Sequence, residues 1–192
     1  MNHLTSLNAA EPNRRLRRNV LLQIGIALVS TAALLLVTAC DNSVTTSTAR
    51  ESQNIRTIEK VYKGFETGDI ESILALMADD VEWVHPGPKT IPFAGAFQGK
   101  DGVEQFFAIA IEHLDVLDQT VGDLVAHEDR VAAFGSEHMR VKTTGLEYQS
   151  NWIHVYTIKD DKIVRFEEYI DTASVAAGFQ PDERQSSGTN QD

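Results

Sequence analysis

The sequence predicts an α+β domain in which helices come first, antiparallel strands follow, and one curved sheet packs on the helices. Two patterns carry that expectation. Between residues 54 and 114 large apolar residues recur at spacings of three and four, the period of a helix with one buried face. From residue 116 onward they alternate with polar residues, the period of a half-buried strand, and polar turn pairs separate the runs. A third observation sets the scale: the chain has 192 residues, and polar stretches flank this body on both sides, which leaves room for one domain and not two.

Residues 1–39 read as a secretion signal. The basic residues of the N-terminal region cluster at Arg14, Arg15, Arg17 and Arg18, and an uncharged, mostly apolar run from Val20 to Ala39 follows. The run ends in Val37-Thr38-Ala39-Cys40, which resembles the bacterial lipobox. That resemblance implies cleavage before Cys40 and a diacylglycerol thioether plus an N-acyl chain on it, a durable anchor because each buried CH₂ contributes about 0.8 kcal/mol. An uncleaved membrane-spanning helix is the other reading, since a run of this length just crosses the hydrocarbon layer. Both deliver everything after Cys40 to the extracytoplasmic face of a bacterial membrane. Residues 40–53 then read as a flexible polar tether.

The body is expected over residues 54–179. Ile55, Ile58, Val61, Tyr62 and Phe65 share one face of a first helix that stops at Gly68. Asp69 caps a second, carrying Ile70, Ile73, Leu74 and Met77, before a short strand from Val81 to His85 closed by Pro86. A Pro- and Gly-rich loop leads to a third helix capped by Asp101, with Val103, Phe106, Phe107, Ala110, Ile111 and Leu114 inward. Four strands follow, at Val116–Ala126, Arg130–Thr143, Tyr148–Lys159 and Lys162–Ile170, with turns at Glu128-Asp129, Thr144-Gly145 and Asp160-Asp161. A short helix runs from Ala173 to Gly178, and residues 180–192 form a disordered polar tail.

Composition excludes several functions. A net charge of −11 works against binding nucleic acid, which needs clustered Lys and Arg on phosphates. The single cysteine, Cys40, permits no internal disulfide and no thiolate metal site. His113 and His127 flank different elements, and no close metal-ligand spacing, Gly-rich phosphate loop or Gly-x-Ser-x-Gly elbow occurs, so neither cofactor nor metal is expected.

Three blocks, GDIESILALMADDVEWVHP, PFAGAFQGKDGVEQFF and NWIHVYTIKDDKIVRFEEYIDTASVAAGF, closely resemble the SnoaL-like branch of the nuclear transport factor 2-like superfamily. The resemblance implies a cone: a strongly curved sheet wrapped around a deep apolar pocket and closed by three N-terminal helices. It includes polyketide cyclases, ketosteroid isomerase and limonene epoxide hydrolase, so fold alone assigns no chemistry. Ala78 to Pro86 aligns with the isomerase stretch that ends in its catalytic Asp and a Pro, which puts His85 at the Asp position. Imidazole there is either a general base or a space-filling group on a backbone carbonyl. Val61 takes the place of the isomerase's oxyanion-hole Tyr, and Tyr62 lies about 100° further around the helix, so that donor is expected to be missing.

The last strand resembles the one that carries a catalytic carboxylate in the epoxide hydrolase, and Glu168 falls on it. Period two places Val164, Phe166, Glu168 and Ile170 on one face. The same comparison puts His138 and Arg140 where the hydrolase has an Arg and an Asp, on a shared face within reach of Glu168, as oxygen-orienting groups or as a structural ion-pair network. Trp152, His154 and Tyr156 alternate onto the face that the isomerase turns to its pocket, and with Trp83 they make a wall for a flat apolar ligand or simply core. Asp171 stands at an acid position of some SnoaL-type cyclases, though helix capping is its simpler role. The expectation is an exported, lipid-anchored pocket protein binding a small apolar or aromatic molecule. His85, Glu168 and His138 are its candidate acid/base set, and Trp83, Arg140, Trp152, His154, Tyr156, Phe166, Ile170 and Asp171 its candidate lining. A non-catalytic binding module and a homodimer interface on the open sheet face are the alternatives.

Overall fold

The computed structural model describes residues 47–180. The expected signal segment, Cys40 and the tail from Pro181 lie outside the described residues. Helix α1 spans residues 47–67, so residues 47–53, expected as tether, are helical instead. This stretch has no Gly or Pro, and it is held from outside: Glu51 Oε1 accepts from the Glu128 backbone N–H, and Asn54 Nδ2 donates to the Glu128 carbonyl. Gly68, at φ +69°, ends α1 in the left-handed region that Gly enters without steric cost.

Helix α2 (Ile70–Ala75) is capped by Asp69, whose side chain accepts from Ser72 N. Strand β1 (Met77–His85) starts earlier than expected, and Met77 is its first buried residue and not the end of a helix. Gly95–Gln98, expected as loop, is strand β2, paired antiparallel with β1. Helix α3 (Gly99–His113) begins two residues before Asp101, which lies in its first turn. Its N-cap, Gln98, makes no side-chain cap bond. Ile111 is 60% exposed, and Leu114 opens β3.

Strands β3 (Leu114–His127), β4 (Arg130–Val141), β5 (Glu147–Lys159) and β6 (Lys162–Ile170) follow, and then helix α4 (Thr172–Gly178). The single sheet runs β2-β1-β6-β5-β4-β3. All neighbours are antiparallel except β1 and β6, the first long strand and the last, which run parallel. Register shifts in β1/β6, β3/β4 and β5/β6 bend the sheet. Its concave side buries Val131, Met139, Val141, Tyr156 and Phe166 against Ile58 and Val61 of α1 and Phe106 and Phe107 of α3.

Topology fixes the site. Pairing Trp83 with Phe166 and Val84 with Glu167 sets His85, at the end of β1, beside Glu168 of β6. Antiparallel pairing then puts His154 of β5 directly opposite Glu168.

Candidate active site

A cavity of about 420 Å³ opens between the concave sheet face, α3 and the loop after β1. Its walls are mainly aromatic: Trp83 stacks on Phe166 at 3.7 Å, and Phe93, Phe106 and Phe107 close the far side. Three ionisable side chains from adjacent strands, each 7% exposed, meet in this apolar setting: His85, His154 and Glu168.

Glu168 sits between the two imidazoles. Its Oε1 lies 3.0 Å from His154 Nε2, and its Oε2 lies 2.5 Å from His85 Nε2. The second contact is an ion-pair approach without hydrogen-bond alignment, so Oε2 has no directed donor. Burial alone would push this carboxyl up; the hydrogen bond from His154 and the 2.5 Å approach of the His85 imidazole outweigh it and hold it down at about 2. The donors can be ordered from the acceptors. Tyr156 OH donates to Tyr62 OH at 3.4 Å, and Tyr62 OH lies 3.0 Å from His154 Nδ1 and supplies its proton. His154 therefore accepts at Nδ1 and donates from Nε2–H to Glu168. His85 faces acceptors on both sides, because its Nδ1 lies 3.1 Å from the Pro86 carbonyl. Both of its nitrogens thus face acceptors, whereas Glu168 Oε2, although buried, has no aligned donor.

The cavity thus gathers His85, Glu168, Trp83, His154 and Phe166 of the expected set. It does not gather the others. His138 and Arg140 lie on the opposite sheet face, both bound to Glu147 at 2.8 Å and 2.6 Å, because the odd-numbered residues of β4 carry its inward face. Trp152 and Tyr156 are buried behind the wall, Trp152 stacking on His154 at 3.9 Å and Tyr156 reaching Tyr62. Ile170 lines a separate shallow groove with Phe134, Ile153 and Tyr169. Asp171 caps α4, accepting from Ala173 N and Ser174 N. Tyr62 points inward, but its hydroxyl is committed to His154 and Tyr156 and so is no oxyanion donor.

The cavity wall also carries Glu137 and Tyr148, which lie outside the expected set. Burial, followed by repulsion from Glu168, pushes the Glu137 carboxyl up to about 7 against a hydrogen bond from Tyr148 and the field of His85. The alternation of Val131, Ala133, Met139 and Val141 was the signal that would have placed Glu137 inside.

The family profile of the SnoaL-like domain matches residues 58–166. A nuclear transport factor 2-like protein of Burkholderia xenovorans LB400 is 27% identical, with a TM-score of 0.63 over 68% of this chain and 98% of its own. A similar protein of Burkholderia thailandensis E264 is 25% identical, with a TM-score of 0.61 over 67% and 98%. TerC, co-crystallised with polyporic acid, is 29% identical, with a TM-score of 0.59 over 66% and 98%. No curated protein matches the chain. The matched stretch takes in α2, α3, β1 to β5 and most of β6, and the sheet-and-helix architecture agrees with it, so this chain belongs to the SnoaL-like family of the nuclear transport factor 2-like superfamily.

Proposed function

We propose that the protein is an exported, lipid-anchored member of this family that binds a small, largely apolar molecule and moves a proton on it without a cofactor. One observation carries the catalytic part: a carboxylate at the wall of an aromatic cavity, braced by two imidazoles, with one oxygen lacking a directed donor. In this reading Glu168 takes a proton from a carbon beside a ligand carbonyl. His85 compensates the charge, and His154 fixes the carboxylate. Returning the proton at the same or another carbon gives isomerase-type chemistry, redox-neutral and balanced. That TerC was crystallised with polyporic acid supports an organic ligand in a cone of this kind.

The test is deuterium exchange into 2-tetralone, a flat uncharged ketone with an acidic C–H, followed by NMR on the full-length chain. Wild type accelerates exchange, and Glu168→Gln abolishes the acceleration. Binding of the ketone with no acceleration in wild type overturns catalysis and leaves the ligand-binding module. The anchor rests on the Val37 to Cys40 pattern, and labelling with a radioactive fatty acid tests it: Cys40→Ser loses the label. A second reading rests on the outer sheet face, where Phe134, Ile153 and Tyr169 are 37–57% exposed. A second copy of the chain covers this apolar row, and a strict monomer in analytical ultracentrifugation removes that reading.

A further inference from the structure

The reading of Glu168 as proton acceptor leaves the ligand's oxygen without a partner, and the geometry supplies one on the neighbouring strands. We propose that Glu137, braced by Tyr148, is the specificity-determining pole of the cavity, hydrogen-bonding the carbonyl oxygen of an uncharged flat ligand and excluding carboxylates. This rests on the proposed function and names its substrate class.

Three observations converge. Glu137 of β4 and Tyr148 of β5 both line the cavity that holds Glu168, and they are hydrogen-bonded to each other. Glu137 also borders a polar groove with Ser136, Ser150, Asn151 and Asp118, so it stands at the polar margin of the aromatic cavity. Finally, among the described residues the cavity wall offers an anion no cation that is not already partnered. Its one lysine, Lys142, donates to the Ile111 carbonyl at 2.6 Å and sits 3.6 Å from Asp115, and the two imidazoles are turned to Glu168. A carboxylate ligand would meet Glu168, Glu137 and Asp115 instead.

The groups that act on Glu137 are Tyr148 from β5, Glu168 from β6 and His85 from β1, and the other ionisable groups of the cavity are His154 on β5, Asp115 on β3 and Lys142 after β4. Asp118 and His138 border the polar groove. Burial and Glu168 keep it a neutral acid until about pH 7, and below that it donates to a carbonyl. When the C–H bond beside the carbonyl breaks and its proton passes to Glu168, the electron pair moves onto the oxygen that Glu137 holds, while Tyr148 donates to the Glu137 carboxyl and orients it. Above that pH Glu137 is an anion aimed at the same lone pairs.

The experiment is equilibrium dialysis of the full-length chain with 2-tetralone and, separately, with 2-naphthoate. Wild type binds the ketone about tenfold more tightly below the Glu137 transition than above it, the scale of one hydrogen bond exchanged for a repulsion, and binds the carboxylate weakly throughout. Glu137→Gln keeps a donor, so it binds the ketone with no pH step; Tyr148→Phe keeps the step and weakens binding. A pH step unchanged in Glu137→Gln, or naphthoate bound as tightly as tetralone, overturns the proposal while leaving proton abstraction by Glu168 intact. A wild type that binds the ketone with the predicted step but accelerates no exchange overturns the catalytic reading alone, and one that binds neither compound overturns both.

Discussion

His154 joins Tyr62 and Glu168 through its two ring nitrogens, with Nδ1 3.0 Å from the Tyr62 hydroxyl and Nε2 3.0 Å from Glu168 Oε1. A phenol on α1 therefore decides which nitrogen of a β5 imidazole carries the proton that the β6 carboxylate receives. Tyr62→Phe removes that donor and also strands the Tyr156 hydroxyl, which is fully buried. The variant is expected to lose about 1–3 kcal/mol, the cost of an unsatisfied buried group. Nitrogen-15 NMR of the imidazoles checks the assignment: the Nε2–H tautomer of His154 dominates in wild type and gives way in Tyr62→Phe.

Glu168 makes the fold sensitive to acid. Its folded carboxyl is held at about 2 against an ordinary value of 4.5, so the stability it contributes is present above about pH 4.5 and lost as pH falls toward 2. The loss is on the order of 3 kcal/mol. Denaturant melts across that window measure it. In Glu168→Gln that limb is absent, and the whole curve is lowered by about 3–5 kcal/mol because two buried imidazoles lose their anion. An acid limb of full size in the variant would show that other carboxyls produce it.

Glu137 has the opposite sign. Its folded carboxyl is pushed up to about 7 from 4.5, so the native state binds more protons than the unfolded chain between those values, and stability falls as pH rises through that window. The fall is on the order of 3 kcal/mol. Together the two carboxyls put the stability maximum near pH 4.5. Glu137→Gln flattens the upper limb: melts at about pH 8 show the variant more stable than wild type, and at about pH 5 the two are close.

How far the sequence carries can be argued from the strands. The bounds of β6 match expectation, and period two alone turns Phe166 and Glu168 inward, because a strand at the centre of the sheet has one face on the core. Leu74, Met77 and Val81 fit a helical face as well as a strand start, so pattern alone does not place Met77 at the head of β1. The position of β2 was hidden in a Pro- and Gly-rich stretch whose pairing depends on β1, not on its own residues. On β4, resemblance pointed to His138 and Arg140, while the local pattern of small apolar residues pointed to Glu137; the fold followed the local pattern. That His85 would lie 2.5 Å from Glu168 follows from parallel pairing of the first long strand with the last, a contact no local pattern encodes.

Gly135 holds the wall behind His154 in place. A Cβ built there would lie 2.1 Å from Trp152 Cζ2 and 2.5 Å from the Thr120 carbonyl oxygen, so both an indole and the β3 backbone crowd the position. The backbone cannot yield without breaking the ladder, and the indole cannot yield without leaving its 3.9 Å stack on His154. Gly135→Ala is thus expected to cost about 1–3 kcal/mol as overpacking, and to disturb the site although residue 135 does not line the cavity. Thermal melts read the first effect and tetralone exchange the second. A variant as stable as wild type but slower in exchange would mean that the indole moves and takes His154 with it. A variant unchanged in both would show that Trp152 has room to shift without loss, and the stack would then be packing alone.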